Sequence, residues 1–152
     1  MRRSSGFTII ELLIVLLIMA TLIGTGVAGF REFNRRQKVM TTKNALVSAL
    51  RFAQSEAASG NRAGCVGVFG GYLFNINPSN YTISASCDGG NVVVRNVELD
   101  EGVVVSVSGD FPIIFLPLAQ GVDIPAGTES LITISAQGSE EIITINSQGK
   151  IK

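Results

Sequence analysis

Nothing restricts the folds open to this chain more than the run from Leu12 to Phe30, which holds no ionisable side chain. At 1.5 Å per residue that run reaches roughly 28 Å as a helix, about one hydrocarbon thickness. It is therefore predicted to cross a membrane. The wider stretch from Gly6, GFTIIELLIVLLIMATLIGTGVAGF, carries a single charged group, Glu11. A carboxylate placed in an apolar span costs on the order of 2.5 to 3.5 kcal/mol even on lenient insertion scales, so it needs a partner or a task.

The 152 residues leave room for one compact domain beside that helix, which excludes a long multidomain enzyme. The formal charge of zero hides an asymmetry. Arg31, Arg35, Arg36, Lys38, Lys43 and Arg51 stand against Glu32 and Glu56 in the segment after the apolar run. From Asn61 onward the cations Arg62, Arg95, Lys150 and Lys152 face nine acids, among them Asp88, Glu98, Asp100, Glu101 and Asp110. An acidic head of this kind disfavours nucleic acid as a partner.

Periodicity divides the chain at about Gly60. Before it, Val39, Leu46, Ala49, Leu50, Ala53 and Ala57 recur at helical spacing, so the helix is predicted to continue from Phe7 to about Ser59, apolar first and amphipathic afterwards. Gly60-Asn61 supplies a stop. Beyond it the period becomes two. Strands are expected from Cys65 to Phe69, with a break at Gly70-Gly71, then from Tyr72 to Ile76, Tyr81 to Cys87, Val92 to Val97, Val103 to Val107 and Ile113 to Leu116. Two more follow at Leu131 to Ser135 and Ile142 to Ile145, with an irregular loop between Pro117 and Thr128. The fold class is α+β: a long N-terminal helix packed by its second half on a small, mostly antiparallel sheet.

Met1 to Glu11 carry a resemblance. A short leader with Arg2 and Arg3, then Gly6, Phe7, Thr8, Ile9, Ile10 and Glu11, then an apolar run, resembles the class III signal of type IV prepilins and type II secretion pseudopilins. The resemblance implies cleavage between Gly6 and Phe7 by a membrane prepilin peptidase and N-methylation of Phe7. It also implies that Glu11, the fifth mature residue, meets the N-terminal ammonium of a neighbouring subunit. An ordinary single-pass anchor explains the length but not the coincidence of Gly6, Phe7 and Glu11. A secretory signal cleaved after Ala28 would need too long a core with an acid inside it. Gly24, Gly26 and Gly29 spell G-x-G-x-x-G, but no strand precedes them and no acid follows at the required spacing.

The helix passage ALVSALRFAQSEAASGNRAGCVGV and the closing TINSQGKIK are similar to GspH/FimT-type minor pseudopilins and pilins. Ala28 stands where many major pilins carry proline, which points away from a shaft subunit. The resemblance implies a cleaved leader over 1–6, a membrane and assembly helix over 7–30, its amphipathic continuation over 31–60, and a β-rich head over 61–152. The positive-inside rule alone favours a cytoplasmic C-terminus, because four cations follow the apolar run and two precede it. The family topology is the reverse, with the head in the periplasm or outside the cell and the helix in the inner membrane. In that oxidising setting Cys65 and Cys87 are expected to form a disulfide, two free thiols being the alternative.

The partners implied are other pilins in a helical filament, the peptidase and methylase, and an inner-membrane assembly platform. No cofactor or metal is expected, since the chain has no histidine and two thiolates do not complete a zinc site. No catalytic constellation is present, and although Glu98, Asp100 and Glu101 are close in sequence, alternation along a strand would split Asp100 from Glu101 across the two faces, so neither a calcium site nor a glycosidase pair is expected. The function expected is a structural subunit of a type II secretion pseudopilus or type IV pilus. The alternative is a DNA-binding minor pilin of a competence filament, for which Lys150 and Lys152 are the matching cations.

Overall fold

The computed structural model describes residues 6–152, apart from the side chains of 25–28. Positions 1–5 of the expected leader, with Arg2 and Arg3, lie outside the described residues. The chain divides into two compact units, one ending at Arg35 and the other running from Arg36 to Lys152. Helix α1, Ile9–Ser59, contributes to both.

From Leu12 to Phe30 α1 carries no ionisable side chain, and Arg31, Glu32 and Arg35 follow only in the last turns of the first unit. Its side chains from Ile9 to Ile23 are exposed wherever they are described, and no residue of its most apolar window is buried. A helix without a polar face has no stable place in water.

In the second unit α1 is a core helix. Val39, Leu46, Ala49, Leu50, Ala53 and Ala57 are all buried, the stripe expected from their spacing. The helix stops in a Schellman motif: Gly60 N–H donates to the Ala57 carbonyl at 3.1 Å and Asn61 N–H to the Glu56 carbonyl at 3.2 Å, with Gly60 at φ 70°. That conformation is open to glycine at little cost.

Seven strands follow: β1 Phe69–Ile76, β2 Asn80–Cys87, β3 Val92–Glu98, β4 Val104–Ser108, β5 Ile113–Phe115, β6 Glu129–Ala136 and β7 Ser139–Asn146. They form two antiparallel sheets rather than one, ordered β3-β2-β1-β5 and β4-β6-β7. Alternate residues fill the core, with Tyr72, Phe74, Ile83, Ile113 and Phe115 from one sheet and Ile132, Ile134, Ile143 and Ile145 from the other.

The start of the β region differs from the sequence expectation. Cys65–Val68 is not a strand, and β1 runs straight through Gly70-Gly71 with a register shift between Phe69 and Gly71. Gly71 has φ 125°, and a Cβ there would overlap the Phe115 carbonyl oxygen on β5. The glycine pair therefore permits a close approach of two strands instead of ending one.

Two polar ties and one cation–aromatic contact fix α1 to the sheets and to the turn after β7. Lys43 Nζ meets Glu141 Oε2 on β7 at 2.6 Å, Gln54 Nε2 donates to the Gly149 carbonyl at 2.9 Å, and the Arg95 guanidinium on β3 sits 4.3 Å from the centre of the Phe52 ring.

Candidate functional site

The start of α1 is built by Thr8. Its hydroxyl accepts the Glu11 backbone N–H at 3.3 Å, and its carbonyl accepts that of Leu12 at 3.2 Å. Thr8 is thus the N-cap and Glu11 the third helical residue, the spacing of a capping box. This signal, Thr-x-x-Glu, stands in the sequence, although reading Glu11 as a contact between subunits passes over it. A carboxylate in the first turn also lies at the favourable end of the helix dipole. Glu11 hence has a local reason to occur at this position as well as a reason between molecules.

Gly6, Phe7 and Thr8 precede the first helical residue, and Phe7 and Glu11 are exposed. The cap uses the backbone N–H of Glu11 and leaves its carboxylate oxygens available to an outside donor. Further along, Thr21 Oγ1 donates to the Ile18 carbonyl at 2.8 Å, so this hydroxyl needs no water. Glu32 and Arg35 form a 4.0 Å pair one helical turn apart.

In the second unit Cys65 and Cys87 are joined as a disulfide across 22 residues. The bridge ties the loop after α1 to the end of β2 and is worth about 3 kcal/mol in the chain-entropy model. Lys150 and Lys152 lie exposed on the closing tail, where Ile151 pairs with Ile145 of β7. Asn146 Oδ1 turns the chain into that tail by accepting the N–H groups of Gln148 at 3.1 Å and Lys150 at 2.8 Å. Because strand side chains alternate, both lysines face one way and Ile151 the other.

Glu98 closes β3, and Asp100 and Glu101 lie in the turn before β4, all three exposed. Among the described residues no group of three or more acids, cysteines or histidines converges as a metal site. Tyr72 is fully buried and its hydroxyl has no partner among the described residues. Burial pushes its pKa up and the Glu56 carboxylate adds to the rise, so the phenol stays protonated at neutral pH and offers no nucleophile.

Comparisons with known proteins bear on both units. The family model described as the prokaryotic N-terminal methylation motif matches residues 1–27, and the one described as type II transport protein GspH matches residues 42–149. Among solved structures, the minor pseudopilin EpsH from the type 2 secretion system of Vibrio cholerae is similar in fold. Its TM-score is 0.54 at 15% identity, over 78% of this chain and 94% of that one. A search of curated protein sequences finds no significant match.

Proposed function

Since the chain belongs to the GspH family of type II transport proteins, structural subunits rather than enzymes, we propose that it is a minor pseudopilin of a type II secretion pseudopilus. On this reading a prepilin peptidase cuts between Gly6 and Phe7, Phe7 is N-methylated, and the chain waits in the inner membrane with its β-rich head in the periplasm. The assembly platform then draws it into a filament with other pilins.

The observation that carries the reading is the first unit of α1: a helix uncovered on all sides, with one carboxylate in its first turn. In lipid the apolar surface is satisfied, and in a bundle of similar helices it is satisfied equally well. Apolarity alone therefore gives no direction to the transfer. Glu11 supplies it. A carboxylate and an ammonium in an apolar bundle stabilise each other, whereas either one alone is costly. If Glu11 meets the Phe7 amine of the adjacent subunit, the four-residue offset between them staggers neighbouring helices along their axes by roughly 6 Å or more.

Processing is tested by intact-mass measurement of the chain purified from its own membranes. The expected terminus is a methylated Phe7. An intact Met1, or a terminus near Gly29, would reject the reading.

The alternative, capture of DNA, has one observation in its favour: Lys150 and Lys152 project from the same side of the tail. A gel shift of the full chain in detergent separates the two readings. Two phosphate contacts would give binding that falls with salt at a log–log slope of about −2 and disappears in the Lys150→Ala/Lys152→Ala double variant. The pseudopilin reading expects no shift at physiological salt.

A further inference from the structure

Four cations, Arg31, Arg35, Arg36 and Lys38, stand against the single acid Glu32 in the eight residues that follow the apolar run. Cations in that place ordinarily hold their end of a span in the cytoplasm, yet on the proposed reading they lie on the side of the head. A charge pattern that works against the topology needs a counterion where the helix leaves the membrane.

The part of this segment that belongs to the first unit, Phe30 to Arg35, indicates which counterion. Arg31 is exposed and forms no ion pair among the described residues. Arg35 meets Glu32 only at 4.0 Å, with the two side chains 43% and 48% exposed, a geometry worth little once salt screens it. Arg31 and Arg35 lie four residues apart, so they share one side of α1 at a spacing of about 6 Å along its axis. Phe30 and Phe33, three residues apart, share another side, and they are 65% and 62% exposed.

Water suits the arginines but not the rings, and hydrocarbon suits the rings but not the arginines. The layer of lipid headgroups suits both, because a phenyl ring can reach its acyl side while a guanidinium on a flexible stem reaches its phosphates. Arg31 follows directly on a run about one hydrocarbon thickness long, which puts it at that layer. A phosphodiester accepts the guanidinium fork through two oxygens. A zwitterionic headgroup brings its own ammonium to the phosphate, so a net-anionic phospholipid is the better fit.

We propose that Arg31 and Arg35 form a docking surface for net-anionic phospholipid headgroups in the leaflet on the side of the head, with Phe30 and Phe33 seated in the same layer. The proposal rests on the reading of a pseudopilin stored in the membrane and adds a restraint to it. These contacts hold the subunit in lipid until the assembly contact at Glu11 outweighs them, and they weaken as salt rises.

The test uses the full chain in nanodiscs of phosphatidylglycerol and phosphatidylcholine in equal parts, with the same acyl chains. Photoreactive p-benzoylphenylalanine replaces Phe33, and the lipid adducts are identified by mass. They are expected to favour phosphatidylglycerol about fivefold, the factor that one cation near an anionic surface gives. Arg31→Gln/Arg35→Gln, or molar salt, is expected to bring that ratio below about twofold. An even ratio in the chain with both arginines, an unchanged ratio in the double variant, or no lipid adduct at all overturns the docking surface. Loss of the preference in inorganic phosphate at constant ionic strength also overturns it, since that would mark a site for a free anion. None of these outcomes touches the pseudopilin reading, which stands or falls with the terminus found by intact mass.

Discussion

Glu11→Ala is expected to leave the chain in the membrane and to take it out of the filament. Insertion depends on the apolar run from Leu12 to Phe30, which the substitution only lengthens. On the proposed reading assembly depends on the partner ammonium, which would be left alone in an apolar bundle at a cost of about 3 to 5 kcal/mol, a factor of roughly 100 or more in the assembly equilibrium. The Thr8 cap gives the experiment its control. Glutamine at the third helical position keeps a capping box but carries no charge. Glu11→Gln should therefore fail to assemble as Glu11→Ala does, with the helix content of purified protein unchanged by circular dichroism. If Gln restores incorporation, the residue serves the helix start and the contact between subunits is wrong.

The largest effect on the fold is expected at Gly71. Any side chain there must tolerate φ 125° and displace the Phe115 carbonyl, so β5 has to separate from β1. The backbone conformation alone costs of order 1 to 3 kcal/mol, and loosened packing of Tyr72 and Phe115 adds to it. Gly71→Val should lower the melting temperature of the detergent-solubilised chain by about 10 °C or more. Gly70 next to it has no positive φ, and its nearest neighbour, Ser86 Oγ, would lie 3.4 Å from an added Cβ. Gly70→Ala should cost less than about 1 kcal/mol. Equal losses at the two positions would remove the close-approach explanation.

Local signals in the sequence carried far. The spacing of Val39, Leu46, Leu50 and Ala57 marked the buried face of α1, and Gly60-Asn61 marked its end, because both depend on helix geometry within a few residues. The alternation through Tyr72, Phe74 and Ile76 placed β1 for the same reason. What the sequence concealed is non-local. Period-two patterning states that a strand has a buried face but not which strand it joins, so the division into two sheets was not legible. Gly70-Gly71 read as punctuation because the strand that needs their lack of side chains, β5, lies some forty residues later in the chain.

At the candidate site the position of Glu11 is legible, but its Thr8 cap is masked because the same residues also read as a processing signal and a contact between subunits.

The placement of the ties along α1 bears on how the head carries load. Lys43 grips β7, Phe52 meets β3 and Gln54 grips the turn after β7, while Ala49 and Ala53 between them are buried in the core. A pull along the helix must shear all these contacts together instead of peeling them one after another. A head held in this way yields to axial force as one body rather than strand by strand.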